Sequence, residues 1–184
     1  MQTLPRSLNF LCPYKTDLIR LGNDGDGGYV IPASALDEVE HLVSIGLSDD
    51  WTFEEEAVRR SPAIRIDGYD RTSGSLVFIY YGVRELLSLL QGKNWKKSIK
   101  QVLKWLRLSY KFRIFWCRKH SFYRRWVVLD QKSKKEIDFA SVFARVPPSS
   151  LLALKIDIEG NEYAMSKAVL QEITRRADQI QLIV

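Results

Sequence analysis

An α/β fold built on a mainly parallel sheet flanked by helices is predicted for this chain by three observations. Short apolar runs alternate with stretches of helical periodicity, and right-handed crossovers turn that alternation into a parallel sheet. Three of the runs, residues 41–46, 63–70 and 151–157, end in glycine or acid, and in open α/β sheets the carboxyl edge of the strands is where ligands bind. The 184 residues suit one domain, 1–184, able to bury about 70% of its unfolded surface.

The elements follow in order. The stretch up to Arg20 is mixed, and Pro5 and Pro13 limit any helix in it. Residues 21–28, Leu-Gly-Asn-Asp-Gly-Asp-Gly-Gly, are a dense turn signal leading into a short apolar piece, Tyr29-Val30-Ile31. Residues 41–46 read as a buried strand ending in Gly46, and a helix follows over about 51–60, with Thr52 and Glu55 spaced as a capping box. Residues 63–70 read as a second strand ending in acid, and 76–90 as strand then helix. From 94 to about 116 the pattern is helical: Trp95, Ile99, Val102, Leu103, Leu106 and Tyr110 share one face. Lys97, Lys100, Lys104, Arg107 and Lys111 form a basic stripe on another face. A strand at 126–129, a short helix at 137–144 closed by Pro147-Pro148, a strand at 151–157, a helix at 165–176 and a strand at 179–184 complete the chain. Ending on a strand predicts a C-terminally shortened version of a longer Rossmann-like fold.

Composition removes several classes. No apolar run approaches the ~20 residues of a membrane span, and the N-terminus lacks the apolar core of a secretion signal. Cys12 and Cys117 have no metal-type spacing, so reduced thiols in a cytoplasmic protein are expected. The net charge of +6 conceals a division: residues 93–126 hold twelve Lys or Arg and no acid, and removing those twelve charges leaves −6 on the rest. Four of the five tryptophans lie in that segment, within a basic, aromatic-rich insert spanning 75–126. Three readings of its helix stay open: an apolar side covering the sheet, an anionic membrane surface met through 93–126, or single-stranded nucleic acid. The acidic remainder disfavours nucleic acid, and peripheral membrane attachment is the alternative to a purely cytoplasmic protein.

The chemistry concentrates at strand ends. Residues 154–163, Leu-Lys-Ile-Asp-Ile-Glu-Gly-Asn-Glu-Tyr, put carboxylates and a glycine where a buried strand passes into a helix. Residues two apart on a strand point the same way, so Asp157 and Glu159 are expected to face one pocket. One carboxylate then orients or deprotonates a substrate hydroxyl, or the pair holds a hard divalent cation. The bland alternative pairs Lys155 with a carboxylate and leaves Glu162 to favour a helix N-terminus. In the turn 44–50, Gly46 and Ser48 are candidates for an adenosine-type ligand approaching the backbone. The turn lacks the G-x-G-x-x-G of a pyrophosphate site, and its two aspartates favour a ligand with an ammonium and a sulfonium. Asp70 ends the second strand and is the candidate for ribose hydroxyls, with Asp67 competing if Gly68 begins the turn earlier. Residues 23–27 fail the calcium-loop spacing and read as a turn or as a loop over the pocket, bringing in Asp26 and Gly28.

The whole pattern resembles FkbM-type methyltransferases along most of the chain. Arg20-Leu21-Gly22 with Asp26-Gly27-Gly28-Tyr29 is similar to the family's opening motif, and Ser44-Ile45-Gly46 with Trp51-Thr52-Phe53-Glu54 to its first cofactor motif. Asp70-Arg71-Thr72 resembles the second, and residues 154–162 the most specific stretch. The resemblance implies S-adenosylmethionine as cofactor, and O-methylation of a sugar or another natural-product hydroxyl. It implies cofactor binding at Gly46 and Asp70 and a reaction site at Asp157, Glu159 and Glu162. A small-molecule or glycan acceptor is the expected partner. The other classes are an inactive membrane- or partner-binding module, and a nucleic-acid methyltransferase.

Overall fold

Residues 41–45, His-Leu-Val-Ser-Ile, are all buried, as a strand must be when both faces of its sheet are covered. The computed structural model describes residues 15–25, 27–89, 95–116, 120–158 and 162–184, with backbone only at 89 and 162–165. Its elements are β1 (Leu18–Leu21), β2 (Tyr29–Pro32), β3 (His41–Ile45), α1 (Thr52–Arg60), β4 (Arg65–Tyr69), α2 (Ser75–Leu89) and α3 (Trp95–Trp116). They continue with β5 (Ser121–Tyr123), β6 (Trp126–Val128), β7 (Glu136–Asp138), α4 (Phe139–Phe143), β8 (Leu152–Ile156), α5 (Glu162–Arg175) and β9 (Ile180–Ile183).

Five strands form one sheet in the order β5-β4-β3-β8-β9, and every neighbouring pair is parallel. The chain runs outward from β3 through β4 to β5, then returns to the other side of β3 with β8 and β9. Side chains alternate between two cores. On one face Leu42, Ile66 and Ala153 pack with Phe53 and Ala57 of α1, Phe78 of α2, and Phe112 and Trp116 of α3. On the other, Val43, Ile45, Tyr69 and Leu154 meet Ile137, Phe139, Val142 and Phe143, with Val169 and Ile173 of α5. β1 and β2 pair antiparallel beside the first core, and β6 and β7 form a small parallel sheet beside the second. No described helix is long and apolar enough to cross a membrane.

Several expectations change. Residues 76–90 do not begin as a strand: α2 is helical from Ser75, with the Phe78 amide donating to the Gly74 carbonyl at 3.0 Å. Packing on α3 overrides the strand-like look of its β-branched and aromatic residues. α3 is helical as expected, but the apolar face read from its sequence points outward. Trp95, Ile99, Leu103, Leu106 and Tyr110 are exposed, while Ser98, Ser109, Phe112 and Trp116 are buried. The rings of Phe112 and Trp116 win the core positions by packing with Trp51, Phe78 and Phe122. Segment 75–126 is therefore more than an insert, because it contains the β4-to-β5 crossover and the edge strand β5. The helix expected over 137–144 shrinks to α4, since Ile137 lies in β7 and Asp138 caps the helix through the Ser141 amide. The Thr52–Glu55 capping box does not form: Thr52 is already helical, and Asp50 accepts from its amide (2.9 Å) and hydroxyl (2.7 Å).

Candidate functional site

The carboxyl ends of β3, β4 and β8 open into a cleft of about 1120 Å³, floored by Gly46, Asp70 and Asp157 and walled by Arg125 to Leu129. It lies at β3 and β8, where the sheet order reverses. Helices on opposite faces leave a crevice at such a switch point.

Gly46 holds the strand ends together. Its amide donates to the Tyr69 carbonyl at 2.9 Å, and the Asp157 amide donates to the Ile45 carbonyl at 2.8 Å. Its φ is +83°, and an added Cβ would stand 1.6 Å from the Asp157 carbonyl oxygen. Glycine is thus needed both for the left-handed backbone and for the approach of β8. Ser48, also lining the cleft, has a φ of +48°.

Asp70 is tied on both oxygens. Oδ2 accepts from the Leu47 amide (2.8 Å) and the Ser48 amide (2.7 Å). Oδ1 accepts from the Thr72 amide (2.5 Å), the Thr72 hydroxyl (2.7 Å) and the Ser73 amide (3.0 Å). Burial acts to raise its pKa, but the hydrogen bonds from Thr72, Leu47 and Ser48 outweigh it and hold the carboxyl below the usual range. The carboxylate clamps the glycine turn onto the end of β4. Asp67, the competing candidate, is buried against His41, 3.2 Å away, because Gly68 lies inside β4 rather than in a turn.

Asp157 lines the cleft and accepts from the Tyr29 hydroxyl at 2.6 Å on Oδ2. Lys155 pairs with a carboxylate, as the plainer reading of the sequence expected, and the partner that sequence reading missed is Glu54, buried on α1. Glu54 Oε1 accepts from the Ser44 hydroxyl at 2.5 Å and from Lys155 Nζ at 3.1 Å. The ammonium also lies 5.2 Å from the centre of the Tyr29 ring and 5.5 Å from that of Phe53. The signal for this group was a lysine inside an apolar strand, which demands a matched charge. Two more donors went unnoticed. Tyr69 Oη and Arg71 Nε are buried, belong to cleft-lining residues and have no hydrogen-bond partner among the described residues. Burial, with Asp67 and Tyr123 adding, pushes the Tyr69 pKa up, so its hydroxyl stays protonated.

The remaining candidates divide. Asp26 and Glu159 lie outside the described residues, and Glu162 opens α5 with its side chain not described. Gly27 reaches the cleft, while Gly28 packs under Arg20, whose guanidinium donates to the Asn23 carbonyl at 2.7 Å. Asn23 is fastened to the cleft loop, its Nδ2 donating to Asp50 Oδ2 at 2.5 Å. Among the described residues no group of three or more His, Cys, Asp or Glu is placed to hold a metal ion. No protein-family model matches the chain, and no curated protein or solved structure matches it either.

Proposed function

We propose that the protein is a Rossmann-like, S-adenosylmethionine-dependent methyltransferase acting on a hydroxyl oxygen of a sugar or similar small molecule. The observation that carries this reading is the position of the cleft. Gly46 and Asp157 meet at the carboxyl ends of β3 and β8, on either side of the reversal in strand order, where α/β sheets of this order hold nucleotides. The resemblance of residues 44–46, 70–72 and 154–162 to FkbM-type enzymes supports it independently.

The residues present fit the cofactor. The cleft volume of about 1120 Å³ slightly exceeds the range of ordinary small-molecule sites, about 300–1,000 Å³, leaving room for an acceptor beside a nucleoside. The lining mixes Asp49, Asp50, Asp70 and Asp157 with Arg71 and Arg125, suiting a ligand that carries charges of both signs. When bound, S-adenosylmethionine supplies an electrophilic methyl group.

Gly46 and Ser48 would hold it through the turn backbone. Asp70 shapes that turn, since its oxygens are already taken by the amides of Leu47, Ser48, Thr72 and Ser73. Tyr29 occupies one oxygen of Asp157, leaving the other to accept the proton of an acceptor hydroxyl as that oxygen becomes nucleophilic. Positioning supplies most of such a displacement, so a modest base suffices.

Calorimetric titration with S-adenosylmethionine and S-adenosylhomocysteine is the test. Saturable binding of both is expected, with Asp157→Asn retaining affinity while losing turnover once an acceptor is found. Absence of binding by a folded sample would sink the reading.

A further inference from the structure

The α2–α3 hairpin presents two stripes of large apolar side chains that remain substantially exposed. On α2, Leu76, Ile79, Tyr80, Val83, Leu86 and Leu87 are 39–76% exposed, and on α3, Trp95, Ile99, Leu103, Leu106, Tyr110 and Ile114 are 42–69% exposed. The spacing in each set is that of a single helical face. The helices run antiparallel, with Ser75 Oγ 2.9 Å from Ser109 Oγ and Gly82 beside Trp105, so the opposite faces are used in packing. Paired stripes of large side chains mark an interaction surface rather than scattered surface residues.

α3 supplies the sign of the partner. Between 95 and 116 it carries Lys96, Lys97, Lys100, Lys104, Arg107, Lys111 and Arg113, and no acid. At about 100° per residue, Lys100, Arg107 and Lys111 fall along one border of the apolar stripe, and all three are exposed. Lys104 is held by Asp49 at 2.7 Å.

We propose that the hairpin docks the protein on an anionic phospholipid surface. The apolar stripe of α3 enters the headgroup–acyl boundary, and the bordering cations meet lipid phosphates. Charge decides against the other occupants. A two-fold contact with a second copy would set one all-cationic helix against another. Nucleic acid would answer the cations but leave the aliphatic side chains in water. The −6 carried outside 93–126 repels the same surface, so the field turns this face, rather than any other, to the bilayer. Docking does not depend on what the cleft binds.

Flotation of the full chain with phosphatidylcholine vesicles, with and without phosphatidylglycerol, tests this. Binding is expected only with the anionic lipid and is expected to fall as salt rises. Each of Lys100→Gln, Arg107→Gln and Lys111→Gln should weaken it roughly fivefold. Leu103→Asp and Leu106→Asp should abolish it while leaving the circular dichroism spectrum unchanged, since both side chains are exposed. Equal binding to neutral vesicles, or indifference to these five variants, would overturn the proposal. So would a dimer dispersed by Leu103→Asp, or salt-sensitive binding to a single-stranded oligonucleotide without vesicle binding.

Discussion

A lysine in the middle of a buried parallel strand persists only if its charge is matched. Lys155 and Glu54 have side chains 3% and 0% exposed and meet at 3.1 Å, with the Ser44 hydroxyl on the same carboxylate oxygen. Removing one member strands the other in the core, which costs about 3–5 kcal/mol, whereas replacing both by apolar groups is often neutral. Lys155→Met and Glu54→Leu should therefore each be strongly destabilising in guanidinium denaturation. The double variant should recover most of the loss, and a double no better than the worse single would show the pair to be uncoupled. This group also marks the limit of sequence reading at the residue scale. Asp70 and Asp157 stand out because acids at the ends of apolar strands are visible in sequence. Glu54 looks like any helix surface acid, and its partner lies 101 residues away. Only the docking of α1 across β3 and β8 brings the two together.

Two glycines show how the helical elements are placed. Gly82 sits within α2, and a Cβ there would stand 3.6 Å from Trp105 Cβ, an ordinary contact. Gly68 lies within β4, and a Cβ there would stand 2.5 Å from Trp116 Cη2 and 2.7 Å from Cζ3, so the end of α3 rests directly on the strand backbone. Gly82→Ala should thus stabilise by up to about 1 kcal/mol through helix propensity. Gly68→Ala should destabilise by roughly 1–3 kcal/mol through overpacking. Thermal melts of the two variants moving in the same direction would contradict this packing. The existence of α1, α3, α5 and of strands β3, β4 and β8 was legible because period and length agreed with the final environment. The orientation of α3 was not. Its exposed stripe is as apolar as its buried one, and periodicity cannot tell which of two apolar faces a sheet will take. α2 was obscured by the same cause: its run of β-branched and aromatic residues meets the rings of α3, not a neighbouring strand.

At the scale of the molecule, the alternation of strands and helices was enough to predict a parallel sheet, but not where its order would reverse. That reversal depends on β8 returning beside β3, and it puts Asp157 next to Gly46. Asp70 completes the junction from the other side, bonding the turn after β3 and the segment entering α2. Its carboxyl pKa is lowered in the folded state, from an unfolded value of about 3.9. A depressed folded pKa means that the stabilisation is fully present above the unfolded value and is lost as pH falls through the folded one. Asp138, lowered by the Ser141 hydroxyl and amide at the start of α4, acts with the same sign. The whole fold should therefore lose stability on acidification below about pH 4. Asp70→Asn separates the contributions, because it keeps the shape of the side chain without its charge. The variant should be less stable than the parent at neutral pH, and the two should converge as the parent's Asp70 protonates. Guanidinium unfolding of both proteins across the acid range gives the comparison. Curves that stay parallel down to the lowest pH would mean that the clamp between the ends of β3 and β4 does not depend on the Asp70 charge.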